Sequence, residues 1–503
     1  MYVYRIRKGF SYILALNILQ FAIGLIFYAV IAKILTQADL GVISTLTFFY
    51  ATFTVIAPFA LHVSGTKYIS EFLGKNELDK AADVGSTVIK LILRLSIVFL
   101  TFFSIISFFL STFYQSSNAL VFLIITFVAS FIATIRITYL AQLQGLQLFD
   151  KHAISSTFSI IISRLASLFL IILGAGLLGF ALGILLGETV GLALTFFYCH
   201  GSLPKSKGKY DSKLLFKFSF PVYMMMIVIV LSEWVDRILF LGVSSDLKAL
   251  GIYELAIRGV GVLTIVWATI DVVILPVFSE TFGRIGETAL TPLLKKAIRY
   301  LAFMFFPAAL GLASISKTVM LLLFGLAYAE GSLPLMILSI SSIFTAFSTV
   351  MGSTLKSIGE TSVFVKISII SIVVDSFLVI TLVPLYGILG AIIGKVASAL
   401  TSFVYVSLEL KSKIRLEIDK DGFWKGVSAS ILIAIMLRLF ESYLYSFNSA
   451  LTFIFEIVLG ILCYFFVLTL LKALKKEDFQ ILRRIMPKHL TKFLDVFERL
   501  LVH

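Results

Sequence analysis

The feature that most constrains this chain is a succession of apolar stretches, each about 20 residues or longer, that fills most of its length. Apolar residues make up 59% of the 503 residues and charged residues only 14%, whereas soluble domains have roughly 45–50% and 25%. A water-soluble fold cannot bury this excess, because its surface grows with chain length. About 20 apolar residues are enough to cross a bilayer as a helix. The sequence therefore predicts an all-α polytopic membrane protein.

The apolar stretches predict about fourteen transmembrane helices. No cleavable signal is expected, because the first stretch, from Ser11, is too long for one and lacks a small-residue cleavage site. The connections between the stretches are too short to hold a soluble catalytic domain. The predicted spans are 11–33, 40–65, 83–110, 119–144, 153–173, 175–200, 216–242, 249–276, 298–325, 334–357, 363–385, 388–411, 425–447 and 450–472.

Basic residues are concentrated on one side of these predicted spans. The formal net charge is +14. Segments on the side of the amino terminus, counted with the helix ends that adjoin them, carry 30 of the 42 Lys and Arg residues, whereas the opposite loops carry two, Lys33 and Lys248. Cytoplasmic loops are enriched in Lys and Arg. We therefore expect both termini in the cytoplasm and a cell-membrane location, and interpret the charge as a topology signal rather than a nucleic-acid-binding surface.

Three short motifs occur twice along the chain. They are QADLGVIS at 37–44 and LKALGIYE at 247–254, YISEFLGK at 68–75 and VFSETFGR at 277–284, and GILLGE at 183–188 and GAIIGK at 390–395. Each pair has a similar offset of just over 200 residues, which predicts two six-helix halves of common origin. Six is even, so the repeats are parallel, about an axis along the membrane normal. The predicted domains are lobes at 1–212 and 213–412, additional helices at 413–472 and a tail at 473–503.

The carboxy-terminal tail has apolar residues at helical spacing, and two interpretations stay open. It predicts an amphipathic helix that lies on the inner membrane surface or packs against the cytoplasmic face of the same chain. The apolar positions are Leu490, Phe493, Leu494, Phe497, Leu500 and Leu501.

Some of these motifs resemble those of the polysaccharide and lipid-linked oligosaccharide flippases, which share a superfamily with the multidrug and toxic-compound extrusion carriers. The matching segments are Asp39-Leu40-Gly41, YISEFLGK at 68–75 and GAIIG at 390–394. The resemblance implies two lobes around a central cavity that opens alternately to either side. It implies a polyprenyl-diphosphate-linked glycan as cargo, moved from the inner to the outer leaflet. The chain is expected to act as a monomer.

Four charged residues of the seventh and eighth predicted spans form a candidate gate. Glu233 and Arg237 are four residues apart in one span, and so share a helix face. Glu254 and Arg258 have the same spacing in the other span. In an antiparallel hairpin that turns near Ser245, Arg237 reaches the depth of Glu254, and Glu233 that of Arg258. The four charges can neutralise one another as a structural network, or can act in gating or substrate binding.

Asp236 lies in the seventh predicted span outside this quartet, roughly 9 Å inside its outer end at 1.5 Å per residue. A carboxylate at that depth is costly and is often functional. Two interpretations stay open. It can be a site for a coupling proton or sodium ion, or it can accept a hydrogen bond from a neighbouring hydroxyl.

The third and fourth predicted spans carry a surplus of positive charge: Lys90, Arg94 and Arg136. Glu188 is the one spanning acid near them in the amino-terminal half, and Arg164 falls at its depth in the hairpin of the fifth and sixth spans. Clustered cations suit a diphosphate, which accepts several charged hydrogen bonds at once. We therefore predict that Arg94, Arg136 and Lys90 bind the substrate. For Lys90 the alternative is snorkelling toward the cytoplasmic interface.

Two other functions compete with the flippase. A cation-coupled multidrug efflux carrier shares the fold. Twelve helices and a cavity dominated by acidic residues would favour efflux, whereas fourteen helices and basic residues in the amino-terminal lobe favour the flippase. A membrane enzyme finds its best support in Asp419-Lys420-Asp421, which we interpret as part of a solvated loop because it lies in a charge-rich connection. The five His and two Cys show no catalytic or metal-ligand spacing. The sequence thus predicts a transporter, with no catalytic residue, metal or cofactor.

The distribution of basic residues predicts which loops are reachable from outside the cell. Single cysteines near Ser116 and Ser332 should react with a membrane-impermeant reagent in intact cells, whereas cysteines near Lys207 and Lys413 should not. Lysed cells serve as the control, because all four positions should then react. Labelling of Lys413 from outside would contradict the whole assignment of spans.

Overall fold

The computed structural model describes residues 18–111, 119–444 and 450–473. Within these ranges the regular elements are helices, as expected of a chain whose backbone polar groups must be satisfied inside a bilayer. The α-helices, in chain order, are α1 (Ile18–Ile31), α2 (Gln37–Ile56), α3 (Leu61–Gly74), α4 (Leu78–Ser111), α5 (Ala119–Gly145), α6 (Phe149–Leu170), α7 (Gly176–Cys199), α8 (Ser212–Ser244), α9 (Leu247–Ile285), α10 (Leu290–Ser314), α11 (Ser316–Val319), α12 (Ser332–Ser357), α13 (Ser362–Tyr386), α14 (Ile388–Lys413), α15 (Lys420–Leu444) and α16 (Ala450–Leu470).

The predicted all-helical membrane fold is confirmed. Twelve helical stretches of the described residues are long and apolar enough to cross a membrane. One of them, Phe149–Cys199, contains both α6 and α7, joined by a π-helical turn at Ile171–Ala175, and α1 is a shorter apolar helix. The predicted count of about fourteen is not confirmed. The tail predicted to be amphipathic lies, beyond Ala473, outside the described residues.

The chain forms two compact units, the first ending at Glu254 and the second beginning at Leu255. In the first unit, α5 packs against α2, α4 and α7, while α8 packs against α2 and α3. In the second unit, α12 and α15 both pack against α10, and α14 packs against α12 and α13. The lobe boundaries that the repeat predicts stay predictions.

Equivalent residues of the repeat begin α2 and α9. Thr36 caps α2 by accepting a hydrogen bond from the amide of Asp39 at 3.2 Å, and the Asp39 carboxylate accepts one from the amide of Thr36 at 3.0 Å. This capping box satisfies two amide groups that a helix start leaves open. At the matching place before α9, the Asp246 carboxylate accepts a hydrogen bond from the amide of Ala249 at 3.0 Å. The Asp of the Asp39-Leu40-Gly41 motif is therefore a capping residue.

The second predicted span, 40–65, is wrong as a single helix. It is interrupted between α2 and α3, where Phe59 and Ala60 adopt left-handed backbone angles with φ of 48° and 52°. Residues with a side chain rarely adopt this region, because Cβ crowds the following carbonyl. Helix α8 holds the break, since the rings of Phe59 and Tyr223 stack at 4.1 Å and the Ser219 hydroxyl donates to the Ala60 carbonyl at 3.2 Å. In the other half of the repeat, α9 runs unbroken for 39 residues.

A stripe of glycines brings α6 and α7 into backbone contact, as the spacing of small residues in α7 suggests. A Cβ added at Gly191 would lie 2.6 Å from Cβ of Ser159, and one at Gly187 would lie 2.7 Å from the carbonyl oxygen of Ser159. The Ser159 hydroxyl also donates to the Gly187 carbonyl at 2.9 Å. The glycine stripe of α7 is therefore a packing surface for α6.

The break between α2 and α3 predicts opposite effects for one substitution at two places. Ala60→Gly should stabilise the protein by about 1 kcal/mol, because glycine adopts positive φ without a steric penalty. Ala51→Gly, the matched control inside α2, should destabilise it by about 1 kcal/mol. Thermal unfolding in detergent measures both changes. A loss of stability with Ala60→Gly as large as that with Ala51→Gly would contradict the strained geometry.

Candidate functional site

A buried polar cluster lies where α2, α8 and the start of α9 meet. The Nη1 of Arg237 lies 3.3 Å from Oε2 of Glu254, and the Ser44 hydroxyl donates to the same oxygen at 2.9 Å. The side chain of Glu254 is fully buried and that of Arg237 is 8% exposed. The guanidinium also lies over the Trp234 ring, 4.2 Å from its centroid. A buried cation is thus held by a carboxylate and an aromatic face.

Next to this ion pair, α8 and α9 make a second buried polar contact. The Tyr253 hydroxyl donates to Oδ2 of Asp236 at 2.6 Å. Both residues are fully buried. This short hydrogen bond to a carboxylate partly replaces the water that the Asp236 side chain loses on burial. It is the hydroxyl contact foreseen for Asp236, while a role in ion coupling stays a prediction.

The backbones at the starts of α2 and α9 are in close contact. A methyl group at Gly41 would overlap the carbonyl oxygen of Leu247, and one at Gly251 would overlap that of Gln37. These contacts are reciprocal, because Gln37 and Gly41 occupy the same motif positions as Leu247 and Gly251. The glycine of each repeated motif is therefore needed for this crossing.

A cavity of about 370 Å³ opens beside the crossing of α2 and α9. Its walls are largely aromatic and aliphatic, with hydroxyls and one guanidinium among them. Such a lining, apolar with a few polar groups, is typical of small-molecule sites. Residues that line it include Ser44, Thr45, Phe48, Trp234, Arg237 and Leu250.

A second buried ion pair lies among α2, α5 and α7. The Nε of Arg136 donates to Oε2 of Glu188 at 2.6 Å, and its Nη2 donates to Oε1 at 3.3 Å. The Tyr50 hydroxyl donates to the same Oε1 at 2.9 Å. Arg136 therefore binds the carboxylate with two nitrogens, and Glu188 is satisfied on both oxygens.

The three predicted substrate-binding residues do not come together. Arg136, treated above as surplus charge, has Glu188 as an ion-pair partner, so that part of the argument is wrong. The guanidinium of Arg164, which matches Glu188 in depth, lies over the Phe27 ring at 4.6 Å. Lys90 and Arg94 are exposed on α4. Depth along a helix places two charges at one height but leaves open whether their side chains face each other.

The predicted quartet of charges is only half formed. The pairing of Arg237 with Glu254 is confirmed, and it links the two depths expected from the hairpin. Glu233 is exposed and makes no ion pair with any residue that the structure describes. Arg258 is half-buried one turn along α9 from Glu254. A single neutral network of four is therefore wrong, because α8 keeps the Glu233 side chain on an open face.

Sequence reasoning missed several residues that complete these contacts. Ser44 could have been found, because it occupies the same motif position as Glu254 and the motifs repeat. Tyr50, Trp234 and Tyr253 carry no comparable signal, since aromatic residues are frequent throughout the chain. Their roles depend on which helices are neighbours.

The Asp419-Lys420-Asp421 triplet does not present two free carboxylates. Asp419 lies 3.5 Å from Nε of Arg299, and Asp421 lies 2.8 Å from Nζ of Lys425. Each carboxylate is therefore engaged by its own cation. Among the described residues, no group of three or more His, Cys, Asp or Glu is arranged to hold a metal ion.

Two protein-family models match parts of this chain. A family model described as polysaccharide biosynthesis protein matches residues 6–282, more than half of the chain. The chain belongs to the polysaccharide biosynthesis protein family. A second model, described as lipid II flippase MurJ, matches residues 252–464. The resemblance drawn from the repeated motifs is confirmed.

Two relatives are similar to this polysaccharide biosynthesis family member over more than half of its length. A probable low-salt glycan biosynthesis flippase of Haloferax volcanii is 23% identical over 306 residues, which cover 60% of this chain. That alignment spans 64% of the relative, slightly less than two thirds of its length. An uncharacterised membrane protein of Methanocaldococcus jannaschii is 24% identical over 438 residues, covering 81% of this chain and 99% of the relative.

Solved structures show the same fold at low sequence identity. The lipid II flippase MurJ in an inward closed conformation superposes with a TM-score of 0.72 at 16% identity, over 91% of this chain and 97% of that one. An inward-facing multidrug resistance MATE family transporter of the MOP superfamily gives 0.63 at 16% identity, over 78% and 95%. The family member therefore has a MurJ- and MATE-like fold.

The buried Arg237–Glu254 pair predicts strong coupling between two substitutions. Arg237→Gln and Glu254→Gln should each cost roughly 3–5 kcal/mol, because each leaves the other charge buried without its partner. The double change should cost less than the sum of the two. Glu233→Gln is the matched control, since it alters the same helix one turn away at an exposed side chain and should have little effect.

Folded yield and thermal stability in detergent measure these four variants. Losses that simply add in the double variant would show that Arg237 and Glu254 do not interact.

Proposed function

We propose that this protein is a flippase that moves a lipid-linked oligosaccharide or polysaccharide precursor from the inner to the outer leaflet by alternating access. Support comes from membership of the polysaccharide biosynthesis family and from the MurJ family match over residues 252–464. The probable glycan biosynthesis flippase among its relatives agrees with this assignment. The cell membrane is the proposed location, with both termini in the cytoplasm and one chain as the working unit.

The geometric observation that carries this proposal is the fork of Arg136. Its Nε and Nη2 hold both oxygens of Glu188, and the same two-pronged geometry fits two oxygens of a phosphate. We infer that the diphosphate of the cargo replaces Glu188 at Arg136 when the lipid-linked glycan is bound. The sugars then cross inside the protein while the polyprenyl chain stays in lipid.

When the cargo diphosphate binds Arg136, the Glu188 carboxylate loses its ion-pair partner. Glu188 is buried, and a buried charge without its partner is costly. The Tyr50 hydroxyl remains as one donor to it. A proton or a sodium ion that joins Glu188 would offset this cost, which offers a route to ion coupling. Asp236 with Tyr253, and Glu254 with Arg237, are the other proposed coupling or gating groups.

Cation-coupled multidrug efflux is the alternative, since MATE transporters share this fold. An efflux site for cationic drugs calls for carboxylates that are available to the drug. Here Glu188 and Glu254 are each bound by an arginine. The charge pattern therefore favours an anionic cargo.

Substitutions of Arg136 test the proposed cargo site. Arg136→Lys keeps the charge but loses the fork, and transport should fall roughly tenfold. Arg136→Ala removes both, and transport should fall about a hundredfold or more. The readout is lipid-linked glycan that reaches the outer face of reconstituted vesicles, normalised to folded protein. Arg415→Ala, in an exposed cytoplasmic connection, is the control for the chemical change.

Normal glycan transport by both Arg136 variants would exclude Arg136 as a cargo contact. Drug extrusion without glycan transport by the unmodified protein would instead favour the efflux alternative.

A further inference from the structure

Helix α4 has one packed face and one face that no other part of the described chain covers, called the uncovered face. Its packed face meets α3 and α5, and the buried residues on it are three, four or seven positions apart: Ala81, Val84, Val88, Ile92, Ser96 and Phe103. The opposite face carries Lys90 and Arg94, followed by Ile97, Val98, Ile105 and Phe108, and each of these four apolar side chains is more than half exposed. A continuous apolar face of this kind on a membrane helix contacts lipid tails, so the two cations lie on a lipid-facing surface.

The connection before α8 locates Lys90 and Arg94 in depth. The amide of Tyr210 donates to Oγ1 of Thr87 at 3.1 Å, so this polar connection reaches Thr87 along α4. At 1.5 Å per residue, Lys90 lies about 5 Å and Arg94 about 10 Å farther along the helix. In the topology proposed above, this is the headgroup and glycerol layer of the inner leaflet. Both side chains are long enough to reach lipid phosphates there.

The corresponding face in the other half of the repeat is covered by protein. The motifs that begin at Tyr68 and Val277 differ by 209 residues, and the same offset pairs Lys90 with Arg299 and Arg94 with Phe303. Arg299 is buried, with its Nε 3.5 Å from Asp419 and its Nη2 donating to the Ala473 carbonyl at 3.0 Å.

Phe303 is covered as well. Helix α15 lies against it, since a Cβ at Gly426 would lie 2.6 Å from its ring, and the Tyr464 hydroxyl of α16 donates to its carbonyl at 2.7 Å. On α10, therefore, the Asp419 carboxylate pairs with the counterpart of Lys90, and α15 and α16 cover the counterpart of Arg94.

We propose that the uncovered face of α4, defined by Lys90, Arg94, Ile97, Val98 and Ile105, binds an anionic phospholipid of the inner leaflet. Neither Lys90 nor Arg94 makes an ion pair or hydrogen bond with any residue that the structure describes. The nearest acid in α4, Asp83, already accepts hydrogen bonds from the amides of Lys207 and Gly208. A lipid phosphate supplies the missing negative charge, and its acyl chains cover the apolar residues above. This assignment is independent of the cargo.

Brominated lipids test the site directly. A tryptophan at Ile97→Trp places a fluorophore one turn from Arg94, and the signal of the protein without this change is subtracted. In nanodiscs of phosphatidylcholine, we compare quenching by brominated phosphatidylglycerol and brominated phosphatidylcholine. Each basic residue near an anionic lipid contributes about a fivefold factor, so the site should prefer phosphatidylglycerol by roughly 5- to 30-fold.

Charge variants separate this site from general attraction to a basic protein. Lys90→Gln with Arg94→Gln should bring the preference to about 1, because no cation remains on this face. Lys90→Arg with Arg94→Lys should keep it. The matched control is Lys213→Gln with Lys217→Gln, which removes two exposed cations one turn apart on α8 and should leave the reporter on α4 unchanged.

Three outcomes would overturn the proposal. The first is equal quenching by the two lipids before any charge is removed, and the second is a preference that survives Lys90→Gln with Arg94→Gln. The third is relief of quenching by added polyprenyl diphosphate but not by phosphatidylglycerol, which would make this face a cargo site. Transport is not measured in this experiment, so its result leaves the flippase proposal to its own test.

Discussion

A charge buried in an apolar helical bundle needs a partner at contact distance, and the polar architecture of this protein follows from that requirement. Arg136 and Glu188 lie 2.6 Å apart, and Arg237 and Glu254 lie 3.3 Å apart. The first pair joins α5 to α7, and the second joins the consecutive helices α8 and α9. Two hydroxyls of α2 donate hydrogen bonds to these carboxylates, Tyr50 to Glu188 and Ser44 to Glu254. Helix α2 therefore contributes to both ion pairs, and a movement of it would disturb both.

Close backbone contact is the second condition for these pairs. Gly41 and Gly251 let the starts of α2 and α9 cross, and Ser44 and Glu254 lie one turn farther along their helices. The crossing and the polar contact thus follow from one repeated motif. The two copies differ at the last position of the motif, where the Ser44 hydroxyl of one copy donates a hydrogen bond to Glu254 of the other. Two copies of one motif therefore form a specific contact in which each copy has a different role.

The two halves of the repeat also differ in how their helices are completed. The first half breaks its second helix at Phe59 and Ala60, whereas α9 is continuous. In the second half α15 and α16 cover α10, and Asp419 pairs with Arg299. Among the residues that the structure describes, no such pair of helices covers the face of α4. The neighbours of a helix therefore decide which of its charges are satisfied by protein.

Composition and periodicity were sufficient to predict the all-helical membrane fold and the contact between Arg237 and Glu254. Each of these depends on local hydrophobicity or on distance along one hairpin, which the order of residues specifies. The single helix expected over 40–65 was wrong, because the aromatic rings of α8 hold Phe59 and Ala60 in an unfavourable backbone conformation that no local pattern reveals.

Lateral packing, by contrast, was decided only by the tertiary structure. The sequence placed Arg136 and Arg164 near the depth of Glu188, but only the folded chain paired Arg136 with it. It grouped Lys90 and Arg94 with Arg136, whereas the structure puts them on an open face. A helix rotates its side chains by a fixed angle per residue, so sequence determines which residues share a face. Which helix that face meets is set by packing across the whole chain.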